Sequence, residues 1–565
     1  MLLSAFGYFN KDKYCDMILL DNEKNSLQVF IWDNSELQFV SDSKLYYTVN
    51  GTVQNVIPGD IDFDGSLDIL ITYTYINNTF MQVVLQNNGA FSAQPAIEIP
   101  NNSQPVIMDL NGDLLLEVLN NKNQGVAIYK FSDSLKEAEL LNDHIYTSNT
   151  SEWCLSYESL QVSYPHSIAF VDLNKDCLAD LFLTVIKDNN LYFEVWLNAK
   201  DGLYCRRLSE LAPKGTQQVS FADIDRNGVE DLVFAVCLGN NCAEKNEIHI
   251  VYNYNDVSND CSFSRKSFED FKLIGLGSDV SANDNDKEVI TIASSFYKAE
   301  DDIPITIRFG DFNLDGYPDA LITVFNASEG SSSAMIEILE NKNCESCGKA
   351  QRTLEIHESN EFDKMRNIKG AVFACFFDLD DNGILDIIVV SKNQTNYKIT
   401  GFYNNFLNDA FHLKALALNG KSKGGYSSAF PGAVFMFTLT ELDMKKVILH
   451  STQMPMTGFY SLNTPYCVYG LGRTNSYIEE FYVALPLNSS NFKSWTPIIP
   501  NSYLIASPVK DNTDEWFLEL FASPTDKIGI IIGVCCGCMV LIGLVVIINY
   551  WREKREDKAL FGIRF

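Results

Sequence analysis

Positive charge is scarce in this sequence, in which 43 lysines and arginines face 73 aspartates and glutamates. The formal net charge is −30 at pH 7. Proteins that bind nucleic acids present clustered lysines and arginines to the phosphates. The charge balance therefore argues against a nucleic-acid partner, and it leaves the large excess of acid to be explained.

Histidine is also rare, and its six copies are spread along the chain. They are His144, His166, His249, His357, His412 and His450. None belongs to an HxxxH motif or stands in a Ser-His-Asp arrangement at a recognisable spacing. The sequence therefore predicts no catalytic residues, and we expect no enzyme activity.

Long amphipathic helical patterns are missing from the first 400 residues. Short runs rich in β-branched and aromatic residues take their place, such as SLQVFIW, FMQVVLQN and LYFEVWLN. Asn, Asp, Gly or Ser bounds each run, as is typical of β-strands. We therefore expect an all-β fold in this part of the chain.

Acid is concentrated in the segment GDIDFDGSLDILIT, residues 59–72. Aspartates occupy positions 1, 3, 5 and 9 of a loop that begins at Asp60, and glycine occupies position 6. Carboxylates this close repel one another unless a cation lies between them. The first half of the EF-hand calcium loop places oxygen ligands in the same way, although no glutamate follows here at position 12. The alternative is an acidic turn, closed by hydrogen bonds, that precedes a strand.

Seven copies of this loop occur in the first 400 residues, and an apolar strand-like run follows each copy. Their first positions are Tyr8, Asp60, Asp109, Asp172, Asp223, Asp311 and Asp378. Repeats about 50 or more residues apart leave room for a four-stranded sheet, and small sheets arranged radially bury one another's faces. The repeats predict a seven-bladed β-propeller over residues 1–400. The first loop follows Met1 so closely that we expect no strand before it.

The segment FGDFNLDGYPDALIT, residues 309–323, resembles the FG-GAP repeat of integrin α-subunit propellers. The layout of the whole chain is similar to that of the T-cell immunomodulatory protein family, also called linkin. The resemblance implies an integrin-α-like propeller whose loops bind Ca²⁺ through side chains at positions 1, 3, 5 and 9. The implied ligands are Asp60, Asp62, Asp64, Asp68; Asp172, Asn174, Asp176, Asp180; Asp223, Asp225, Asn227, Asp231; Asp311, Asn313, Asp315, Asp319; and Asp378, Asp380, Asn382, Asp386.

Three loops depart from the family pattern. Cys177 replaces the glycine of the fourth loop, which keeps its four oxygen-bearing side chains. In the third loop Gly112 comes earlier than position 6, and the longer Glu117 must close the site. Tyr8 replaces the leading acid of the first loop, which retains Asn10, Asp12 and Asp16. For the first and third loops, a calcium site and a metal-free turn both remain open.

The loop motif ends near residue 400, whereas strand-like runs such as GAVFMFTLTEL and IEEFYVALPL continue. Residues 401–520 are similar to the C-terminal β-module that follows FG-GAP repeats in several families. We expect a small, membrane-proximal β-sandwich over this range, followed by a linker at 521–527.

Residues 528–550, IGIIIGVCCGCMVLIGLVVIINY, carry no charge. A helix of this length spans a hydrocarbon core of ~30 Å at ~1.5 Å per residue. The tail, 551–565, begins WREKREDK, and a basic excess marks the cytosolic side. We therefore expect a single-pass type I protein of the plasma membrane with its propeller outside the cell. Gly529, Gly533 and Gly537 have a spacing that lets two such helices pair, which predicts a possible homodimer.

Further features fit an extracellular location. Acceptor sequences for N-glycosylation occur at Asn50, Asn77, Asn101, Asn149, Asn326, Asn393 and Asn488. Among the cysteines before the membrane span, Cys237–Cys242 and Cys344–Cys347 are plausible local disulfides, although the sequence does not fix the connectivity. The opening residues MLLSAFGYFN have no features of a signal peptide, so we expect that the full protein has an additional N-terminal segment.

A rigid propeller that presents loops on one face favours a binding receptor over an enzyme. The resemblance implies a cell-surface glycoprotein that binds protein ligands in cell adhesion or in the modulation of T cells and other immune cells. One alternative is an integrin-α-like adhesion receptor subunit, against which the GFFKR sequence is absent after the span. The other is the remnant of an FG-GAP phospholipase-type enzyme, against which no phospholipase domain precedes the repeats in this sequence.

Overall fold

The structure is a computed structural model that describes most of residues 1–562. The residues outside the description are 123–124, 133, 145–153, 157–160, 200–202, 240–241, 243, 255–270, 272, 275–287, 293–294, 298–302, 326–332, 346, 348–349, 406–409, 421–424, 443, 455–459, 475–476, 487–491, 510–511, 523–527 and 563–565. Contacts divide the chain into two compact units, Met1–Leu520 and Phe521–Phe565.

Seven antiparallel sheets make up the described part of residues 1–402. The first three contain Leu2–Gly7 (β1), Asp16–Leu20 (β2), Ser26–Asp33 (β3) and Gln38–Thr48 (β4); Thr52–Gly59 (β5), Asp68–Tyr75 (β6), Asn78–Asn87 (β7), Ala90–Ala93 (β8) and Ile97–Ile99 (β9); and Val106–Met108 (β10), Glu117–Lys122 (β11), Gly125–Phe131 (β12) and Leu135–Leu140 (β13). A 3₁₀ turn at Leu141–His144 follows the third sheet.

The other four sheets repeat this arrangement. They contain Ala169–Val171 (β14), Asp180–Lys187 (β15), Asn190–Asn198 (β16) and Tyr204–Leu211 (β17); Thr216–Ala222 (β18), Asp231–Leu238 (β19), Lys245–Asn253 (β20), Leu273–Ile274 (β21) and Glu288–Thr291 (β22); Ser295–Phe296 (β23), Arg308–Gly310 (β24), Asp319–Phe325 (β25), Met335–Asn343 (β26) and Arg352–Ile356 (β27); and Ala371–Phe377 (β28), Asp386–Asn393 (β29) and Asn396–Phe402 (β30). A 3₁₀ turn at Asn360–Phe362 and the short helix Asp363–Arg366 (α1) precede the last sheet.

Strand β1 corrects one expectation from the sequence. Leu2–Gly7 lies directly after Met1, is buried throughout and pairs with β2 along its length. A strand therefore does precede the first loop. The strand has only six residues, which are mostly apolar, and no turn signal before them marks it in the sequence.

Each sheet packs against the next in chain order, and the first packs against the last. Between the third and fourth sheets, for example, Leu119 lies in the same buried cluster as Leu181 and Trp196. At the other end of the series, Phe6 of β1 stacks on Phe377 of β28 with 4.7 Å between ring centroids. The small sheets bury their faces on one another in a ring, so the predicted all-β, propeller-like fold is confirmed.

Two further four-stranded sheets follow residue 402 among the described residues. Their strands are Phe411–Ala417 (β31), Val434–Thr440 (β32), Lys446–Thr452 (β33), Cys467–Gly472 (β34), Glu480–Ala484 (β35), Phe492–Trp495 (β36), Ser502–Val509 (β37) and Asn512–Ala522 (β38). The spatial orders are β34-β31-β37-β38 and β33-β32-β35-β36. We call residues 411–522 the second module, which has the two sheets that the sequence predicts for a β-sandwich.

Three disulfides join described residues: Cys154–Cys205, Cys237–Cys242 and Cys344–Cys347. The last two confirm the local pairs that sequence spacing suggests. The first links residues 51 positions apart, which spacing alone does not reveal.

The second compact unit contains the helix Ile528–Gly562 (α2). Within it, Ile532–Ala559 is long and apolar enough to cross a membrane. The helix continues beyond residue 550 into the charged sequence WREKREDK.

Candidate cation-binding loops beneath the second module

The loop at Asp60 connects β5 to β6 and is shaped by its own carboxylates. The backbone amides of Asp64 and Gly65 donate to the Asp60 carboxylate over 2.9 and 2.8 Å. Asp64 Oδ1 accepts in turn from the amide of Ser66 over 2.7 Å. The alternating acids thus form successive Asx turns, which the metal-free interpretation of the sequence predicts.

Two positions of the loop need a left-handed backbone. Position 6 is Gly65, with φ 82°, and position 4 is Phe63, with φ 54°. Position 4 has the same conformation in the other loops, at Lys11, Gly112, Lys175, Arg226, Leu314 and Asp381. Gly112 therefore occupies a position where glycine is favourable, and the third loop departs less from the pattern than its sequence suggests. Cys177 adopts φ 66° in place of the usual glycine.

The acid at position 9 ties the loop to the sheet. Asp68 Oδ2 accepts from the amide of Ile61 over 3.0 Å, and its Oδ1 accepts from the amide of Gln86, in β7, over 2.8 Å. Asp231 makes the same pair of bonds with the amides of Ile224 and Asn253. This acid therefore has a structural role whether or not a metal is bound.

In each of three loops, three carboxylates of the same loop lie within 4.8 Å of one another among the described residues. The three groups are Asp60, Asp62, Asp64; Asp223, Asp225, Asp231; and Asp378, Asp380, Asp386. The acids of the loops at Asp172 and Asp311 do not form such a group in the part of the chain that the structure describes. In three of the five ligand sets predicted from the sequence, three carboxylates thus lie close together.

Burial makes these acids costly to ionise without a counter-charge. Burial is the largest cause that raises the pKa of Asp60 to about 6, and that of Asp68 and Asp223 to about 8. Neighbouring aspartates raise these pKa values further. Grouped carboxylate and amide oxygens are the ligands that Ca²⁺ prefers, and a divalent ion would offset both burial and repulsion. The loops at Asp60 and Asp223 fit the ion on this ground.

The second module covers the loops and places a lysine at the seventh. Lys414, in β31, is buried, and its Nζ lies 2.8 Å from Asp378 Oδ2 and 2.6 Å from Asp381 Oδ1. A few residues on, the side-chain amide of Asn419 donates to Asp60 Oδ2 over 2.6 Å. The leading acid of the seventh loop therefore already has a cation beside it, and this loop fits calcium less well than its sequence suggests.

Strand β33 of the second module reaches the fourth and fifth loops. His450 is buried, with Nε2 3.0 Å from Asp172 Oδ2 and Nδ1 3.1 Å from Glu230 Oε2. Burial opposes its protonation, but the two carboxylates outweigh burial and raise the pKa of His450 to about 10. Thr452 Oγ1 accepts from the Asp172 amide over 3.1 Å. His450 thus places a positive charge from the second module beside the leading acid of the fourth loop.

Close glycine contacts complete this cover. A Cβ added to Gly470, in β34, would lie 1.9 Å from Asp311 Oδ2. A Cβ added to Gly383, in the seventh loop, would lie 2.0 Å from the His412 imidazole. The amide of Gly472 also donates to the carbonyl of Leu314 over 3.0 Å. At these points the second module and the loops are therefore packed too closely to accommodate an additional methyl group.

Sequence reasoning missed the residues that the second module contributes, namely Lys414, Asn419 and His450. Their partners lie far away in the sequence, since His450 and Asp172 are 278 positions apart. No local pattern marks them, because a lysine or histidine within a strand-like run has no period or spacing that points to a distant acid.

Comparison with protein families matches two parts of the chain. Residues 9–71 match the FG-GAP-like repeat, and residues 425–521 match a family described as "ITFG1, C2 domain". The first range contains the loop at Asp60 and all but the first residue of the loop at Tyr8, and the second contains most of the second module.

Relatives of similar length are found in animals and in a parasite. The human T-cell immunomodulatory protein is 30% identical, over 98% of this chain and 89% of its own length. A homolog from Plasmodium falciparum is 26% identical, over 98% and 86% of the two chains. Protein linkin of Caenorhabditis elegans is 24% identical, over 92% and 87%. Given the repeat, the second module and the identity along nearly the whole chain, this protein belongs to the T-cell immunomodulatory protein family.

Proposed function

We propose that this chain is a single-pass cell-surface glycoprotein that binds Ca²⁺ in its propeller loops and protein ligands on its exterior. It serves cell adhesion or the modulation of T cells and other immune cells, and it has no catalytic role. The observation that carries the calcium part is the group of three carboxylates at Asp60, Asp62 and Asp64, within 4.8 Å of one another.

The membrane orientation rests on charge around the helix. Residues after the apolar stretch carry the basic sequence WREKREDK, which favours the cytosolic side of the plasma membrane. The propeller and the second module then lie outside the cell, where disulfides such as Cys154–Cys205 persist.

Calcium is expected to differ among the loops. Those at Asp60 and Asp223 gather three carboxylates, and no described lysine or histidine forms an ion pair with the leading acid. Those at Asp172 and Asp378 have His450 and Lys414 beside the leading acid. We therefore expect the loops at Asp60 and Asp223 to bind Ca²⁺ more tightly than the loops at Asp172 and Asp378.

Calorimetric titration of the detergent-solubilised full chain with Ca²⁺ tests this order. Asp62→Ala combined with Asp64→Ala is expected to remove one bound ion, and EGTA is expected to lower the Tm of the parent. A ligand at a hundredfold excess over Kd stabilises the folded state by about 2.7 kcal/mol per site. Asp33→Ala is the matched control, because Asp33 closes an acidic turn with Ser35 outside the loops. An unchanged ion count in the double variant would refute the assignment.

The ligand part requires a separate experiment. Full-length protein in vesicles is offered to cells that carry surface proteins, with and without a chelator. Binding that protease treatment of the cells abolishes supports a protein ligand, and binding that survives the treatment contradicts it.

A further inference from the structure

The two ends of the propeller sheets differ in what they carry. Successive strands of each sheet are antiparallel, so their connections alternate between the two ends. The end with the acidic loops, between the first and second strands, is called the loop face. The end with the second-to-third strand turns and the links between sheets is called the opposite face.

All the described N-glycosylation sequons of the propeller lie on the opposite face. Asn50 lies between β4 and β5, and Asn101 lies between β9 and β10, which are both links between sheets. Asn77 and Asn393 lie at turns from the second to the third strand, β6 to β7 and β29 to β30. Asn149, Asn326 and Asn488 lie outside the described residues.

Asparagine itself is not confined to that face. Asn10, Asn88 and Asn382 lie in connections of the loop face, yet none begins an Asn-X-Ser/Thr sequence. Turn formation by asparagine therefore does not explain why the sequons occur on one face only, since turns of both faces use this residue.

The four acceptor asparagines are exposed: Asn50, Asn77, Asn101 and Asn393. Two of them belong to one sheet edge, because the hydroxyl of Thr79, from the Asn77 sequon, donates to Asn101 Oδ1 over 3.1 Å. The loop face offers no equivalent room where the second module covers it. There a Cβ on Gly383 would already lie 2.0 Å from His412.

We propose that N-linked glycans on Asn50, Asn77, Asn101 and Asn393 coat the opposite face, and that the loop face is kept free of glycans because the second module packs on it. In the modification, asparagine Nδ2 loses a proton and bonds to the anomeric carbon of a sugar whose lipid pyrophosphate carrier leaves. The donor is a lipid-linked oligosaccharide of the secretory pathway. This inference rests on the extracellular orientation proposed above.

Mass spectrometry of the full chain from a secretory eukaryotic cell tests the four sites. Peptide-N-glycosidase in ¹⁸O-water converts each glycan-bearing asparagine to labelled aspartate. Label at Asn50, Asn77, Asn101 and Asn393 is expected, and Asn→Gln at each should remove one glycan's mass. Label at Asn488 alone would overturn this inference while leaving the orientation standing. Absence of label at every sequon, Asn488 included, would overturn the orientation as well.

A designed sequon tests the second half of the proposal. Ile384→Thr creates Asn-Gly-Thr at Asn382, on the loop face beside His412. A glycan there would collide with the second module, so at least a several-fold loss of surface protein is expected. Ile384→Val is the matched control, because valine has nearly the same shape as threonine at this position but creates no acceptor sequence at Asn382. Normal surface amounts of Ile384→Thr with a glycan on Asn382 would refute the covered loop face.

Discussion

Lys414 and Asp378 form a buried ion pair, with 2.8 Å between Nζ and Oδ2, that joins the second module to the seventh loop of the propeller. Burial opposes the charged lysine, yet Asp378 and Asp381 outweigh it and hold the pKa of Lys414 well above its usual value. The ammonium thus supplies, at this loop, part of the positive charge that a metal ion would supply. The same loop acids that resemble calcium ligands also hold the second module in place.

Lys414→Met should destabilise the protein strongly. The methionine keeps the apolar length of the side chain but leaves Asp378 and Asp381 without their buried partner. Removal of one member of a buried ion pair costs about 3–5 kcal/mol. Chemical denaturation of the detergent-solubilised full chain, in EGTA, measures the free energy of unfolding.

The matched control for that variant is Lys446→Met. Lys446 pairs with Glu479 at 3.5 Å, and both side chains are largely exposed. Exposed pairs contribute about 0–1 kcal/mol, so this change should be nearly neutral. Equal losses in the two variants would show that Lys414 has no special role.

Gly470→Ala should weaken the contact between module and propeller. The added Cβ would lie 1.9 Å from Asp311 Oδ2 and 2.5 Å from the carbonyl carbon of Leu314, which is backbone and cannot rotate away. Overpacking of this kind costs about 1–3 kcal/mol. The same denaturation experiment measures it, with Gly543→Ala as control, because Gly543 lies within helix α2, where alanine is favourable, and a Cβ there meets no atom within 4 Å. A loss no larger than that of Gly543→Ala would contradict the close packing.

His166 should make the protein less stable in mild acid. Burial lowers the pKa of His166 to about 4. Between about pH 6.5 and 4, the His166 imidazole therefore stays neutral in the folded protein, whereas it takes up a proton in the unfolded chain. Stability from this group is therefore present at neutral pH and falls as pH decreases from about 6.5 to 4, by up to about 3 kcal/mol. Free energies of unfolding at pH 7 and pH 5 should converge in His166→Asn, which keeps an acceptor for the Ile168 amide. An unchanged difference between the two pH values would contradict it.

Helix pairing in the membrane is the remaining sequence prediction. If Gly529, Gly533 and Gly537 form a contact face, Gly533→Ile should reduce the signal of a membrane-dimerisation reporter by several-fold, because close backbone approach needs small residues. Gly543→Ile is the control, since that residue lies away from the four-residue spacing. A parental signal from Gly533→Ile would favour a monomer.

The repeats made the propeller predictable, because the residue types in each loop favour the conformation that the loop adopts. Aspartates at alternate positions form Asx turns, and Gly65, Gly228, Gly316 and Gly383 take the left-handed backbone at position 6. Position 4 was not foreseen, since residues as different as Phe63 and Arg226 take that backbone there. The hydrogen bonds that close the loop, such as those from the Asp64 amide to the Asp60 and Asp62 carboxylates, accompany this conformation whatever the side chain at position 4.

The candidate site was predictable only in its local half. The acids at Asp60, Asp62 and Asp64 are close in sequence, so spacing alone placed them together. Their environment depends on residues hundreds of positions away, such as Asn419 at Asp60. Spacing therefore predicts which residues gather in a loop, whereas the choice between a metal ion and a protein cation is decided by long-range packing.

The stacking of Phe6 on Phe377 has a consequence for biosynthesis. The first sheet can bury its open face only after the last sheet has left the ribosome, and the loops gain their cover only when β31 to β34 follow. Native contacts of such sequence separation form slowly, because the entropy of closing a long loop is lost before the contacts reward it. The apolar face of β1 is exposed until residues up to 402 have emerged, and the acidic loops are exposed until residues beyond 470 follow. The growing chain is therefore expected to depend on chaperones for most of its synthesis.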